Sequence, residues 1–255
     1  MAGQLEGKTA LVTGGGSGIG RSASLAYARE GARVVVADLN VEGGEETVQM
    51  IVEAGGQAIL VHADVSDPSG TQLMVDRAVD AFGSLDCAFN NAGISGGRER
   101  RRSADYEEED FDRVIRINLK GVWLSMKAEI PQMLQQGNGA IVNTASIMGL
   151  IANTGSVAYM AAKHGVVGLT KAAALEYARD GIRVNSVCPG YINTPLLRPL
   201  FETHASMEET IISRHPVGRL GEPEEIAEAV VWLSSPAASF VTGHNMAVDG
   251  GYVAQ

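Results

Sequence analysis

Cysteine is scarce in this chain, with Cys87 and Cys188 the two thiols in 255 residues. Both lie in strand-like runs and read as buried, reduced thiols, and no histidine or cysteine spacing suits a metal, so a disulfide framework and a zinc site are excluded. Positive charge is outweighed as well: 20 basic against 30 acidic residues give a formal net charge of −10, which excludes nucleic acid or an anionic membrane as the main partner. No run of about 18 uncharged apolar residues is available to span a bilayer. The opening Met1-Ala2-Gly3-Gln4-Leu5-Glu6 lacks the basic and apolar regions of a signal peptide, so the cytoplasm is the expected compartment. Internal repeats and low-complexity linkers are missing too. What is there is 45% apolar residues, enough for one α/β domain over residues 1–255 with ample core.

Short apolar runs recur along the chain at Thr9 to Thr13, Arg33 to Ala37, Gln57 to Val61, Leu85 to Phe89, Ala140 to Asn143, Arg183 to Val187 and Met246 to Val248. Helical patterns separate them. That alternation predicts a parallel sheet covered on both faces, with right-handed crossovers and ligands at the carboxyl ends of the strands. Gly14, Asp38, Asp64, Asn90, Ser146 and Pro189 each follow a strand and fall at those ends.

The first strand feeds directly into Gly14-Gly15-Gly16-Ser17-Gly18-Ile19-Gly20, after which Ser22 to Tyr27 reads as helix. In a strand, glycine turn and helix of this kind, backbone N–H groups can approach a pyrophosphate while the helix directs its positive dipole end at the same place. A glycine-rich corner of purely structural use would look similar, but Asp38 argues against it. This acid ends the second strand, 18 residues after Gly20, where a dinucleotide fingerprint needs a carboxylate for the adenosine ribose. A carboxylate there accepts hydrogen bonds from ribose hydroxyls and repels a 2′-phosphate, so NAD (NADH) rather than NADP is the expected cofactor. Ser17 and Leu39, the positions best placed for a compensating cation, are uncharged. The competing role for Asp38 is to cap the next helix, which Asn40 could do instead.

Tyr159-Met160-Ala161-Ala162-Lys163, with Ser146 thirteen residues before the tyrosine, is the other informative stretch. A free tyrosine titrates near ~10 and is a poor base at neutral pH unless something favours its phenolate. A lysine four residues along a helix shares the tyrosine's face, and its ammonium can supply that help through space.

Together these residues resemble the short-chain dehydrogenase/reductase family over essentially the whole chain. The family's Thr-Gly-x-x-x-Gly-x-Gly is matched by Thr13, Gly14, Gly18 and Gly20, its Asn-Asn-Ala-Gly by Asn90, Asn91, Ala92 and Gly93, and its catalytic Asn, Ser, Tyr and Lys by Asn118, Ser146, Tyr159 and Lys163. The resemblance implies a Rossmann-type doubly wound sheet of about seven strands in the order 3-2-1-4-5-6-7. It also implies an NAD-dependent enzyme acting on CH–OH groups, in which Tyr159 exchanges the proton, Lys163 lowers the tyrosine pKa and binds the nicotinamide ribose, Ser146 bonds the developing alkoxide, and Asn118 holds a water linking Lys163 to solvent. In that reading the cofactor runs over Gly14, Ser17, Gly18, Ile19 and Gly20, then Asp38 and Leu39, then Asp64 and Val65 at the adenine. It continues past Asn91, Ala92 and Gly93 to Tyr159 and Lys163, with Pro189, Gly190, Ile192 and Thr194 at the nicotinamide carboxamide. No metal is expected.

The substrate pocket is drawn from Ser146, Met148, Tyr159, Tyr191 and Leu196, with Ile147, Leu150 and Ile192 beside them. It reads as apolar with one aromatic wall, and residues 195–215 as the family's substrate lid. A hydrophobic or cyclic secondary alcohol, interconverted with its ketone, is the expected small-molecule partner. Two rivals are a 3-oxoacyl-carrier-protein reductase and a nucleotide-sensing protein without turnover. The basic run Arg98-Glu99-Arg100-Arg101-Arg102 precedes a helix expected to start at Asp105 with Glu108 as its box partner, and reads as a loop balancing acids 107–110. Met126, Ile130, Met133, Val166, Leu169, Ala173 and Tyr177 carry more apolar positions than one sheet face needs. They suit the family's helix-on-helix dimers, with a homotetramer as the expectation and residues 249–255 at a second interface.

Overall fold

The computed structural model describes residues 3–95, 101–198 and 205–255. Seven strands, β1 (Thr9–Thr13), β2 (Arg33–Asp38), β3 (Gln57–His62), β4 (Cys87–Asn90), β5 (Gly139–Thr144), β6 (Ile182–Pro189) and β7 (Asn245–Val248), form one sheet in the order β3-β2-β1-β4-β5-β6-β7. Every pairing is parallel, as the strand and helix alternation predicts. The order reverses between β1 and β4, and a doubly wound sheet opens a crevice at its carboxyl edge there.

Alternate strand residues feed two cores. Leu11, Val35, Ala88, Ile141 and Val184 face α3 (Pro68–Phe82), α5 (Gly121–Gln136) and α6 (Val157–Tyr177). Val12, Val34, Phe89, Val142 and Val187 face α1 (Gly18–Arg29), α2 (Val41–Glu53) and α8 (Pro223–Ser234). Burial on both faces explains why the strands read as continuous apolar runs; each fully buried Val, Leu, Ile or Phe contributes about 1.5–3 kcal/mol. Among the described residues no helix is long and apolar enough to cross a membrane.

Local chemistry sets the ends of the elements. Asn40 accepts from the Gly43 amide and caps α2, so Asp38 is not the cap. Asp67 caps α3 with Pro68 in the first turn, and Gly83 at φ +81° ends it in a conformation that suits glycine. β4 starts at Cys87 rather than Leu85, because the Gln136 side chain takes both the Leu85 N–H (2.9 Å) and its C=O (2.8 Å).

Two expectations for the helices are corrected. Ser103–Asp105 forms a 3-10 turn and α4 (Glu108–Ile115) begins after Glu107, with no side-chain cap. Arg101 bonds Glu107 at 3.1 Å, while Arg98, Glu99 and Arg100 lie outside the described residues. Met126, Ile130, Met133, Val166 and Ala173 belong to the chain's own core, because α5 and α6 each bury a broad stripe against the sheet. The outward large apolar side chains of these helices are Trp123, Leu134 and Leu175, at 43%, 41% and 85% exposure.

Candidate active site

β1 ends at Thr13, and the chain turns through Gly14 (φ +66°) and Gly18 (φ +51°) into α1. A Cβ on Gly14 would meet the Ala92 backbone at 3.0 Å, and one on Gly20 would strike the Gly14 carbonyl. Glycine is therefore required by both torsion and contact. The Thr13 hydroxyl accepts from the Asn91 and Ala92 amides at 2.9 and 3.1 Å, and Asn91 Nδ2 donates to the Thr13 and Gly14 carbonyls at 3.1 and 3.4 Å. The segment after β4 is thus laced to the glycine turn across the crevice. Thr194, after β6, lies over the same turn, 3.4 Å from where a Gly18 Cβ would sit. Ser17 precedes α1 without a side-chain cap bond, so the first helical N–H groups face the crevice as donors.

Asp38 Oδ2 accepts from the Gly16 amide at 2.8 Å and Oδ1 from the Asn40 amide at 2.8 Å. Both bonds fix the carboxylate beside the glycine turn. Leu39 next to it is 59% exposed. Arg21, a cation overlooked in the sequence reading, bonds the Gly16 carbonyl and Glu46, both at 2.6 Å, and Thr47 at 3.1 Å; its charge is taken up by Glu46. Asp64 turns back on the Ser66 amide at 2.8 Å, and Val65 packs on Gly121.

Ser146 follows β5, and Tyr159 and Lys163 lie one turn apart on α6. The Ser146 hydroxyl oxygen accepts from the Met148 amide at 3.1 Å, and the Ser146 side chain reaches the Tyr159 phenol closely enough to pull its pKa down. Lys163 is 4% exposed and donates to the Thr144 carbonyl at 2.7 Å. Its ammonium lies over the Tyr159 ring, 5.6 Å from the centroid. Burial dominates both groups: it raises the phenol above its usual range, with the Ser146 bond opposing and Tyr191 adding to the rise, and it lowers Lys163 to about 8. The lowered tyrosine pKa inferred from the sequence spacing is corrected here, since Lys163 faces the ring and the Thr144 carbonyl while desolvation favours the neutral phenol.

Asn118 sits in a π turn, Arg116–Lys120, between α4 and α5. Its Oδ1 accepts from the Ile94 N–H and its Nδ2 donates to the Ile94 C=O, both at 2.8 Å. The side-chain amide thus clamps the segment after β4.

Beyond Ser146, Ile147, Met148 and Tyr252 pack with Tyr159 and Tyr191. Tyr191 meets His215 and Tyr252 edge-on or tilted, each at 5.9 Å between centroids, and His215 meets Tyr252 at 5.0 Å. His215 is held by the Ile211 carbonyl at 2.8 Å and accepts from the Tyr191 amide at 3.4 Å. Its partner Tyr252, within the 249–255 run, has its ring buried inside the chain. Leu150 and Leu196 are exposed, at 38% and 55%, and stand outside the apolar wall. Pro189, Gly190 and Ile192 form the floor at the end of β6, where Gly190 bonds the Val248 carbonyl at 3.0 Å and Ile192 packs on Gly221. Of the expected lid, residues 199–204 lie outside the described residues; α7 (Ala205–Ser213) follows them. Thr144, His215 and Tyr252 went unnoticed in the sequence because no local spacing links them to Lys163 or Tyr191.

Comparison with known proteins points to one family. A family model described as enoyl-(acyl carrier protein) reductase matches residues 14–253. Cyclohexanol dehydrogenase of Acinetobacter sp. (strain SE19) is 49% identical over 100% of this chain and 98% of its own length. A 2,5-dichloro-2,5-cyclohexadiene-1,4-diol dehydrogenase of Sphingobium indicum is 44% identical over 98% of both chains. The 3-oxoacyl-[acyl-carrier-protein] reductase of Thermotoga maritima is 40% identical, covering 98% of this chain and 99% of its own. Among solved structures, levodione reductase superposes with a TM-score of 0.94 at 37% identity, covering 98% of this chain and 99% of that one. A putative 2-deoxy-D-gluconate 3-dehydrogenase from Agrobacterium tumefaciens with bound NADP superposes at 0.90 and 39% identity, covering 98% of each. Motifs, sheet order and full-length relatives converge: the chain belongs to the short-chain dehydrogenase/reductase family.

Proposed function

We propose that the protein interconverts a hydrophobic, cyclic secondary alcohol and its ketone with NAD(H), and that Tyr159 exchanges the hydroxyl proton. The reading is carried by one observation: Ser146, Tyr159 and Lys163 gather at the carboxyl end of β5, on the same edge of the sheet as the glycine turn of β1, under an apolar and aromatic wall. A bound nicotinamide supplies or accepts the hydride. The glycine torsions and the close approach of Ala92 to Gly14 make a cradle without Cβ atoms, which fits a pyrophosphate on Gly14, Ser17, Gly18, Ile19 and Gly20. Asp38 and Leu39 would take the adenosine ribose and ring edge with Asp64 and Val65, and Pro189, Gly190, Ile192 and Thr194 the carboxamide.

The raised pKa of Tyr159 keeps its phenol protonated at neutral pH, the form needed to give a proton to a carbonyl oxygen; such transfer is worth roughly 10²–10⁴ in rate. Ser146 orients that oxygen with its hydroxyl proton as charge develops. Lys163, buried and easily deprotonated, stands where it can pass a proton to the Tyr159 side of the pocket. Preference for NAD rests on the carboxylate fixed at the end of β2, which repels a 2′-phosphate. The cyclic substrate class is supported by the activities named for the Acinetobacter and Sphingobium relatives and by the apolar, aromatic wall of Met148, Tyr191 and Tyr252.

A second reading, reduction of a 3-oxoacyl group on a carrier protein, is favoured by the Thermotoga relative and the family description. One assay separates the two: absorbance of reduced nicotinamide is followed with NADH and NADPH against cyclohexanone-type ketones and a 3-oxoacyl thioester. Turnover of cyclic ketones with NADH supports the proposal. Thioester turnover alone would favour the second reading, and binding of NADH without any turnover would point to a nucleotide sensor.

A further inference from the structure

Behind the site lies a chain of buried polar side chains that proton and hydride transfer do not use. Glu129, midway along α5, is 0% exposed. Its Oε2 accepts from Asn90 Nδ2 at 3.1 Å, and among the described residues no salt bridge reaches it. Asn90 Nδ2 also donates to Asn143 Oδ1 at 3.0 Å, and Asn143 Nδ2 donates to Thr170 Oγ1 at 3.0 Å. Asn90 and Asn143 are register partners on β4 and β5, and Thr170 lies on α6 beyond Lys163. Each strand asparagine is followed by a residue of the site. Asn91 holds the Thr13 and Gly14 carbonyls, and Thr144 offers the carbonyl that anchors Lys163.

Glu129 Oε1, Asn90 Oδ1 and Ser125 Oγ in this cluster are buried without a hydrogen-bond partner. Ser125 and Glu129 are one turn apart on the same helix face. An ionised Glu129 would only accept, so the single Ser125 proton would have to serve two buried oxygens. A carboxylic acid brings the missing O–H donor, and an unpaired buried charge is costly.

We propose that Glu129 is a positioning residue: uncharged in the core, it completes this hydrogen-bonded cluster and thereby holds Asn90, the Asn91–Gly93 turn and the Thr144 carbonyl in place. Burial pushes its carboxyl up to about 8, against the opposing pull of the Asn90 bond, so the acid form prevails at neutral pH. The inference rests on the reading of residues 91–93 as part of the dinucleotide cradle.

The test compares Glu129→Gln, which keeps a neutral donor, with Glu129→Met, which fills the space without one; Glu129→Ala replaces the latter should it fail to fold. Met133→Ala, fully buried on the same helix, is the control for general destabilisation. NADH Kd is measured by titration calorimetry, kcat and KM for NADH by absorbance, and amide exchange at residues 91–94 on the protein alone. Glu129→Met should weaken NADH binding about tenfold, the scale of one unsatisfied buried hydrogen-bonding group, and speed exchange at residues 91–94. Glu129→Gln should stay near wild type in both, and Met133→Ala should lose thermal stability while keeping Kd and exchange. Glu129→Met behaving like Met133→Ala would overturn the proposal, as would Glu129→Gln proving as damaging as Glu129→Met. Failure of the wild type to bind NADH would instead remove the cradle reading, and the exchange comparison would still decide the role of Glu129.

Discussion

Replacing Lys163 with methionine should abolish a pH dependence of folding stability that the buried ammonium imposes. Lys163 is 4% exposed, and burial brings its pKa from 10.5 down to about 8, with Cys188 opposing weakly. At about 1.4 kcal/mol per pKa unit, that gap corresponds to roughly 3 kcal/mol. The sign follows from proton counting. Between pH 8 and 10.5 the unfolded chain holds the lysine proton and the folded chain does not, so wild-type stability gains from this group about 1.4 kcal/mol per pH unit. Below that window the full penalty stands, and above it none remains. Methionine fills similar space but leaves the Thr144 carbonyl without its donor, a fixed loss of about 1–3 kcal/mol that masks the gain at any single pH. The informative quantity is therefore the wild-type minus Lys163→Met stability difference across pH 7 to 10, measured by urea unfolding. It should rise with pH. Parallel curves for the two proteins over that range would show that the ammonium is hydrated in the fold and that the burial argument is wrong.

Other outcomes follow from the same geometry. Tyr159→Phe should lower kcat by about 10²–10⁴ while leaving NADH affinity nearly unchanged in calorimetry; substantial residual turnover would mean that another group moves the proton. Asp38→Ala should raise kcat/KM with NADPH relative to NADH, and an unchanged ratio would show that the ribose contact lies elsewhere. Gly14→Ala forces a Cβ into a φ of +66° against Ala92, so it should cost about 1–2 kcal/mol, read as a lower Tm, and weaken NADH binding. Self-association through the outer faces of α5 and α6, where Trp123 and Leu175 are exposed, predicts that Leu175→Arg lowers the mass found by light scattering; an unaltered mass would move the interface elsewhere.

Features written in neighbouring residues were legible before any coordinates. The run from Thr9 through Gly20 carries its strand, turn and helix in consecutive side chains, and the parallel sheet follows from strands alternating with helices, its order coming with the family resemblance. Tyr159 and Lys163 share a helix face by simple periodicity. Other features depend on residues meeting across the fold. The Gln136 amide that displaces the start of β4, the Asn118 clamp on Ile94, and the stacking of Tyr191, His215 and Tyr252 join elements far apart in the chain. Apolar counts on α5 and α6 could not say that Met126 and Val166 face inward while Leu175 faces out. The protonation of Tyr159 was misjudged for a related reason: spacing locates the ammonium along the helix, but desolvation depends on everything packed around the phenol.

The position of Tyr252 has a practical side. Its ring packs with Met148, Tyr159 and Tyr191, and Gln255, close behind it, is tied by its side chain to the Arg214 carbonyl at 2.7 Å. An affinity tag or fluorescent fusion appended after Gln255 would therefore tug on the aromatic cluster beside Tyr159. The opposite end begins beside β1, with Leu5 buried under α1 and the Leu5 amide held by the Glu30 carbonyl, on the rim away from the carboxyl ends of the strands. Purification handles belong there.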